Sequence, residues 1–286
     1  WPRLIIPQTQ GRGSYIRVFF GDFNLDGIPD VSAANKGSQR PGPNDFERKT
    51  PIHLFQAKGD PLSEESWHEI ELGRYVVPQN AEPVDLDNDG DLDVIVGTRG
   101  EERMVFFENE DPSNLKFKEH SINVEGIYMA GFNLEYEDLN GDGRPDLFLT
   151  GGSPENRVYL QTEEPLRFID ATAQSGIKAT GTWSSGPTLV DIDADGDLDV
   201  HVCNYDAPNH LWINDGEGKF TEKAEAYGLA ISDASLMATF CDYDLDGDLD
   251  CFLLTRDFKR AGGRPKEHPV ELVSNKWRIK PGFEKY

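Results

Sequence analysis

Three cysteines in 286 residues (Cys203, Cys241 and Cys251) are too few to frame a fold with disulfides. No run of about 18 apolar residues occurs, so no helical membrane span or membrane insertion is expected. Basic residues are scarce, with 28 Lys plus Arg against 52 Asp plus Glu and a formal net charge of -24. A field of that sign repels nucleic acid and anionic lipid and attracts cations. Asn-x-Ser/Thr sequons are absent, so glycosylation gives no clue to compartment. Catalytic signatures are missing too. The six histidines (His53, His68, His120, His201, His210 and His268) form no HExxH pair, and there is no GxSxG elbow or phosphate-cradling glycine loop. Helical periodicity is weak, with single turns expected at a few places such as 171–175 and 224–228. Opening at Trp1 without Met or a leader, the chain reads as processed, trimmed or part of something longer.

What is present is an acidic repeat in a chain otherwise composed for folding, with 37% hydrophobic and 10% aromatic residues. Five segments align without gaps: DFNLDGIPD from Asp22, DLDNDGDLD from Asp85, DLNGDGRPD from Asp138, DIDADGDLD from Asp191 and DYDLDGDLD from Asp242. Their starts lie 63, 53, 53 and 51 residues apart, and an insertion between Asn35 and Thr50 absorbs the longer first interval. A β-rich run follows each loop (VSAAN, VIVGT, LFLTG, VHVCN, CFLLT) and another precedes it, which predicts a hairpin. A third run (IHLFQ, MVFFEN, RVYLQ, HLWIN) and a fourth (WHEIEL, FKEHSI, FIDAT, FTEKA) complete four antiparallel strands in about fifty residues, the size of a propeller blade. In the fifth repeat SNKWRIKPGFEKY is expected to supply the third strand and the start of the fourth.

The loops carry the chemistry. Positions 1, 3, 5, 7 and 9 are Asp22, Asn24, Asp26, Ile28 and Asp30 in loop one. They are Asp85, Asp87, Asp89, Asp91 and Asp93 in loop two, and Asp138, Asn140, Asp142, Arg144 and Asp146 in loop three. Loop four has Asp191, Asp193, Asp195, Asp197 and Asp199, and loop five has Asp242, Asp244, Asp246, Asp248 and Asp250. Side-chain oxygens at 1, 3, 5 and 9, a backbone carbonyl at the variable position 7 and a turn-forming glycine at 6 match the six to eight oxygens that calcium takes. Magnesium prefers a tighter octahedral shell, and zinc wants His or Cys, which the loops lack. Without a cation, two carboxylates 5 Å apart repel by about 0.8 kcal/mol even in water. Asp and Gly are common in ordinary turns, but five such loops in register predict about five calcium ions. They are not EF-hands, because the Glu at position 12 and the flanking helices are absent.

On these residues the chain resembles the FG-GAP or VCBS repeat propellers, whose best-known members are integrin alpha subunits. FIDATAQSGI after Arg167 and HLWINDGEGKFTEKAEAYGL after Asn209 resemble the cartilage-acidic-protein branch and its bacterial relatives. The resemblance covers nearly the whole chain. It implies an all-β propeller of four-stranded antiparallel blades, structural calcium between the first and second strands, and a location that is extracellular, at the cell surface or periplasmic. The expected organisation is a single β-propeller domain over 1–286, with blades at about 15–72, 80–122, 130–172, 184–223 and 235–286. These five belong either to a closed ring or to a seven-bladed one.

With the acidic loops on one face, connections between strands two and three emerge on the other. Two insertions there are basic: 35–50 with Lys36, Arg40, Arg48 and Lys49, and 256–268 with Arg256, Lys259, Arg260, Arg264 and Lys266. Basic loops on an acidic protein suit an anionic glycan or an acidic protein partner, against the plainer reading of two solvated insertions. Tyr75, Tyr128, Trp183 and Tyr227 are placed toward that same face, as sugar-stacking or blade-packing aromatics. Cys241 and Cys251 flank loop five symmetrically, and two readings stand: a disulfide, or two small buried hydrophobes. The expected function is an adhesion, binding or scaffold module. The alternative is a propeller-type polysaccharide lyase or dehydratase, for which Lys259 and Tyr128 are the nominal candidates.

Overall fold

Strands whose side chains are apolar at successive positions have to be covered on both faces, and that requirement builds this structure. The computed structural model describes residues 6–38, 40–122, 124, 133–150, 156–177, 183–255, 270–273 and 276–279. Blade one is β1 (Tyr15–Gly21), β2 (Asp30–Asn35), β3 (Lys49–Ala57) and β4 (Trp67–Val76), hydrogen-bonded in that order and antiparallel throughout. Blade two repeats it with β5 (Pro78–Val84), β6 (Asp93–Thr98), β7 (Arg103–Asp111) and β8 (Lys116–Ser121). Blade three is β9 (Asn133–Glu137), β10 (Asp146–Thr150), β11 (Arg157–Gln161) and β12 (Phe168–Asp170), followed by the single helical turn α1 (Thr172–Ser175). Blade four is β13 (Trp183–Val190), β14 (Asp199–Pro208), β15 (His210–Asn214) and β16 (Phe220–Glu222). The fold is all-β, made of propeller blades.

Every residue of β2, β6 and β10 is buried, and alternate side chains serve different seams. Val94 and Val96 join Phe23, Ile52, Leu54 and Tyr75 between blades one and two. Ile95, from the same strand, joins Met104, Phe106, Leu134 and Leu147 between blades two and three. Phe148, Val200 and Trp212 do the same between blades three and four. Each such side chain contributes about 1.5–3 kcal/mol on burial, so the seams are the core.

The fifth repeat departs from the expected blade. β17 (Ser232–Cys241) and β18 (Asp250–Thr255) form the predicted hairpin around loop five. β17 also pairs with the far end of β14 (Tyr205↔Ala234 to Pro208↔Ser232), which merges blades four and five into one six-stranded sheet. β14 runs on past β13, and its otherwise unpaired backbone groups find partners there. The run expected to supply the third strand, β20 (Lys276–Ile279), pairs instead with β19 (Val270–Val273) as a separate hairpin. The nearer partner closes a much shorter loop.

The residue before each acidic loop pairs with position 9: Gly21↔Asp30, Val84↔Asp93, Glu137↔Asp146, Val190↔Asp199 and Cys241↔Asp250. Cys251 therefore faces Phe240, one step out of register with Cys241, and the two cysteines point to opposite sides of the hairpin. Both are free thiols and both are exposed, which overturns the disulfide and the buried pair alike; Cys203 is buried. Apolar side chains stay exposed at both ends of the stack: Val18 and Phe20 on β1, and Met237, Phe252 and Leu254 on the fifth hairpin.

Third from the end of the innermost strands β5 and β9 stand Glu82 and Glu135. Burial pushes both carboxyls up to about 7, with Arg17 lowering each and the Glu82 charge raising Glu135 further. In the unfolded chain they ionise in the ordinary range, so this contribution is fully favourable below about pH 4.5 and is lost as pH rises through about 7. Glu82→Gln or Glu135→Gln is accordingly expected to stabilise the protein by about 1–3 kcal/mol at pH 8 and to leave it nearly unchanged at pH 4. Urea melts at the two pH values check this; an equal gain at both would contradict it.

Candidate metal centres

Each acidic loop is folded by its own carboxylates. The position 1 Asp accepts the N–H of position 5 on Oδ1 and the N–H of the position 6 glycine on Oδ2, at 2.7–3.2 Å in all five loops. The position 5 Asp accepts the N–H of position 7 at 2.8–3.2 Å. These bonds need left-handed backbone at positions 4 and 6. Position 4 supplies it at Leu25, Asn88, Gly141, Ala194 and Leu245, and position 6 is Gly every time, with φ between 83 and 98°. A non-glycine residue at φ near +60° is strained by about 1–3 kcal/mol, a cost the loop bonds offset.

Position 9 joins the loop to the blade. Asp30, Asp93, Asp146 and Asp199 are buried, and each accepts on Oδ1 the N–H of the last residues of strand three (Ala57, Asn109, Gln161 and Asn214) at 2.7–2.9 Å. In loops three, four and five Oδ2 accepts the N–H of position 2, from Leu139, Ile192 and Tyr243. Burial is the main cause that raises these carboxyls: Asp30 and Asp199 to about 6, Asp146 to about 7 and Asp93 to about 8. Position 7 of loop two, Asp91, is likewise pushed up to about 6 by burial and by its acidic neighbours.

Three sets of carboxylate oxygens lie within 4.8 Å of one another: Asp85, Asp87 and Asp93; Asp191, Asp193 and Asp199; Asp242, Asp244 and Asp246. Ligand oxygens at about 2.3–2.6 Å from one calcium span just such a distance, so these clusters can hold a metal ion. In loop two Asp87 Oδ1, Asp91 Oδ1 and Asp93 Oδ2 are buried without a hydrogen-bond partner, as is Asp30 Oδ2 in loop one. Buried unpaired carboxylate oxygens are costly, and a cation supplies what they lack. Loops one and three satisfy part of their acceptors internally, and loop three also carries its own cation. Asn24 and Asn140 donate to the position 5 carboxylates at 2.9 and 3.0 Å, and Arg144 pairs with Asp142.

A further set of residues escaped the sequence reading. At the end of strand three, Asn109, Gln161 and Asn214 each use the side-chain amide to grip two main-chain carbonyls. One belongs to position 2 of the preceding blade's loop (Phe23, Leu86, Leu139) and one to position 8 of their own (Leu92, Pro145, Leu198), at 2.8–3.2 Å. Blade one has Ala57 at this place and makes only the backbone bond. The available signal was a polar residue closing each apolar third strand, at FFEN, YLQ and WIN.

Of the basic residues on the opposite face, Arg40 is exposed, Arg48 pairs with Asp45 at 3.0 Å, and Lys49 lies 3.5 Å from Glu101 and over the Tyr75 ring. Lys36 is buried. Lys259, Arg260, Arg264 and Tyr128 lie outside the described residues. Tyr75 packs edge-on against Phe107 in the seam, and Trp183 is exposed. Tyr227 lies within electrostatic reach of Asp193, Asp195 and Asp199, which places it beside loop four and not at the opposite mouth. His53 is buried against Tyr15 and Glu69, and His201 is buried and pushed down to about 4, so both are packing residues.

The sequence profile described as "FG-GAP-like repeat" matches residues 22–96, 138–202 and 191–253. Among solved structures the chain is similar to Saccharomyces cerevisiae Sqt1, at 12% identity and a TM-score of 0.45, over 79% of this chain and 54% of that one. It is also similar to the V. cholerae biofilm matrix protein Bap1, at 14% identity and a TM-score of 0.44, over 82% of this chain and 34% of that one. The chain thus spans about half and one third of the lengths of these two proteins. No curated protein sequence matches it significantly.

The strand-three amides generate a prediction. Asn214→Leu leaves the carbonyls of Leu139 and Leu198 buried without their donor, which is expected to destabilise the protein by about 2–4 kcal/mol. Urea unfolding measures it; a loss below about 1 kcal/mol would mean water replaces the amide.

Proposed function

The chain belongs to the FG-GAP-like repeat family, and on that premise we propose that it is a calcium-binding propeller module, working outside the cytoplasm as a binding, adhesion or scaffold unit. The observation that carries this reading is the shared geometry of the five loops, three of which gather carboxylate oxygens within 4.8 Å of one another. Oxygen-only ligands in a flexible nine-residue turn favour calcium over magnesium, zinc and the softer metals. Modules with such exposed sites bind calcium at about 10⁻⁴–10⁻³ M, levels met outside cells.

The cations link folding to calcium. Binding to the folded state alone adds about 2.7 kcal/mol per site at a hundredfold excess over Kd. Melting in calcium and then in EDTA is therefore expected to differ by more than 10 °C. Calorimetry should resolve a tighter class of three sites (loops two, four and five) and a weaker class of two (loops one and three), since affinity follows ligand charge. An EDTA-insensitive melt with no metal in elemental analysis would end the proposal.

The partner is an anionic glycan or an acidic protein surface, met by the basic insertions opposite the acidic loops. Arg40 supports this as an exposed guanidinium, whereas Arg48 and Lys49 are held by Asp45 and Glu101. Charge reversal of Arg40 together with Lys259, Arg260 and Arg264 is expected to weaken binding to a sulfated or uronic-acid glycan array at least tenfold, and more at low salt. Unchanged binding would leave the module without its proposed ligand face.

A further inference from the structure

We propose that a cleft between blades two and three, on the side of the acidic loops, binds a pyranose sugar. This lies beyond the opposite-face ligand and rests on the calcium reading only through Asp87. The cleft measures about 530 Å³, inside the range of about 300–1,000 Å³ typical of small-molecule sites. One wall is Glu108, Lys118 and His120 from β7 and β8; the other is the turn Glu164–Arg167 between β11 and β12. Asp87 of loop two forms part of the lining, with Oδ1 buried and lacking a hydrogen-bond partner.

The walls are already organised. Glu108 is held by His120 Nε2 at 2.5 Å and by Lys118 Nζ at 3.3 Å, and Lys118 also reaches Glu110 at 3.3 Å. Across the cleft Arg167 pairs with Glu164 at 3.2 Å. Leu166 packs on the seam cluster, and its N–H donates to Gln161 Oε1 at 2.8 Å. Gln161 is the same residue whose amide nitrogen grips Leu86 and Pro145, so the wall is fixed to the seam.

Charge decides the ligand class. Among the described lining residues three carboxylates (Asp87, Glu108 and Glu164) outnumber Lys118 and Arg167, each of which already pairs with a carboxylate of its own wall, so the cleft disfavours a phosphate or sulfate. What the cleft offers is donors and acceptors side by side: imidazole and ammonium next to Glu108, guanidinium next to Glu164. A hydroxyl donates once and accepts twice, so neighbouring hydroxyls on a sugar ring match such forks. Pro165 and Leu166 give the apolar patch that the C–H face of the ring requires.

Saturation-transfer NMR on the calcium-loaded chain, with the methyl glycosides of glucose, galactose, mannose and glucuronic acid, tests this. At least one is expected to bind with a Kd of order 1 mM, as suits a ligand of that size. Glu108→Gln should weaken it about fivefold or more, one hydrogen bond to a charged group being lost. Glu164→Gln and Arg167→Ala, on exposed groups of the turn, should do the same and keep the test sharp if Glu108→Gln melts early. Arg40→Glu on the opposite face should leave it unchanged. The proposal is overturned if no glycoside binds at about 10 mM, well above that Kd. It is equally overturned if binding survives the cleft variants, or follows Arg40→Glu instead.

Discussion

Crowded carboxylates are the constraint on which the rest of this structure depends. Five nine-residue turns hold Asp side chains whose outer lone pairs are taken by loop N–H groups, and in three of the turns the oxygens converge within 4.8 Å. Such a turn takes its shape from those N–H bonds, and its charge is one that a cation can answer. The blades are then ordered by what the turn presents to them. Position 9 ties the loop to strand three of its own sheet, and the position 2 carbonyl ties it to strand three of the next. Seam packing by Phe106, Phe148 and Trp212 supplies most of the energy, while the turns set where each sheet sits.

Much of this was legible in the sequence because the signals are local. An Asp every second residue with Gly at position 6 marks the turn, and short β-branched apolar runs such as VIVGT or LFLTG directly after it read as strands covered on both sides. What escaped notice depends on distant partners. Asn109 and Gln161 reach carbonyls 86 and 75 residues away, and one polar residue at a strand end looks ordinary until its partner is in place. The cysteines misled for a related reason. Their symmetric spacing about loop five suggested facing residues, but the ladder pairs position 9 with the residue before the loop, which is one step off that symmetry. The merging of blades four and five through β14 and β17 is likewise a matter of which edge finds which.

The distribution of charge follows the same logic. A net charge of -24 would make any free cation conspicuous, yet most described basic side chains on the two faces are engaged nearby. Arg48 is held by Asp45, Lys49 by Glu101, Arg144 by Asp142 and Lys118 by Glu108 and Glu110. Recognition in such a protein has to come from the shape of paired groups or from the few guanidinium groups left exposed, such as Arg40.

The grip of the strand-three amides has a consequence for how such chains lengthen. The donor is a side chain, but both acceptors are main-chain carbonyls, present whether position 2 is Phe23, Leu86 or Leu139. At this one contact a repeat carrying Asn or Gln needs no matched partner side chain, and the fit between neighbours is left to the apolar seam. A copy gained or lost by recombination would therefore keep this joint, and only the apolar seam would have to be refitted.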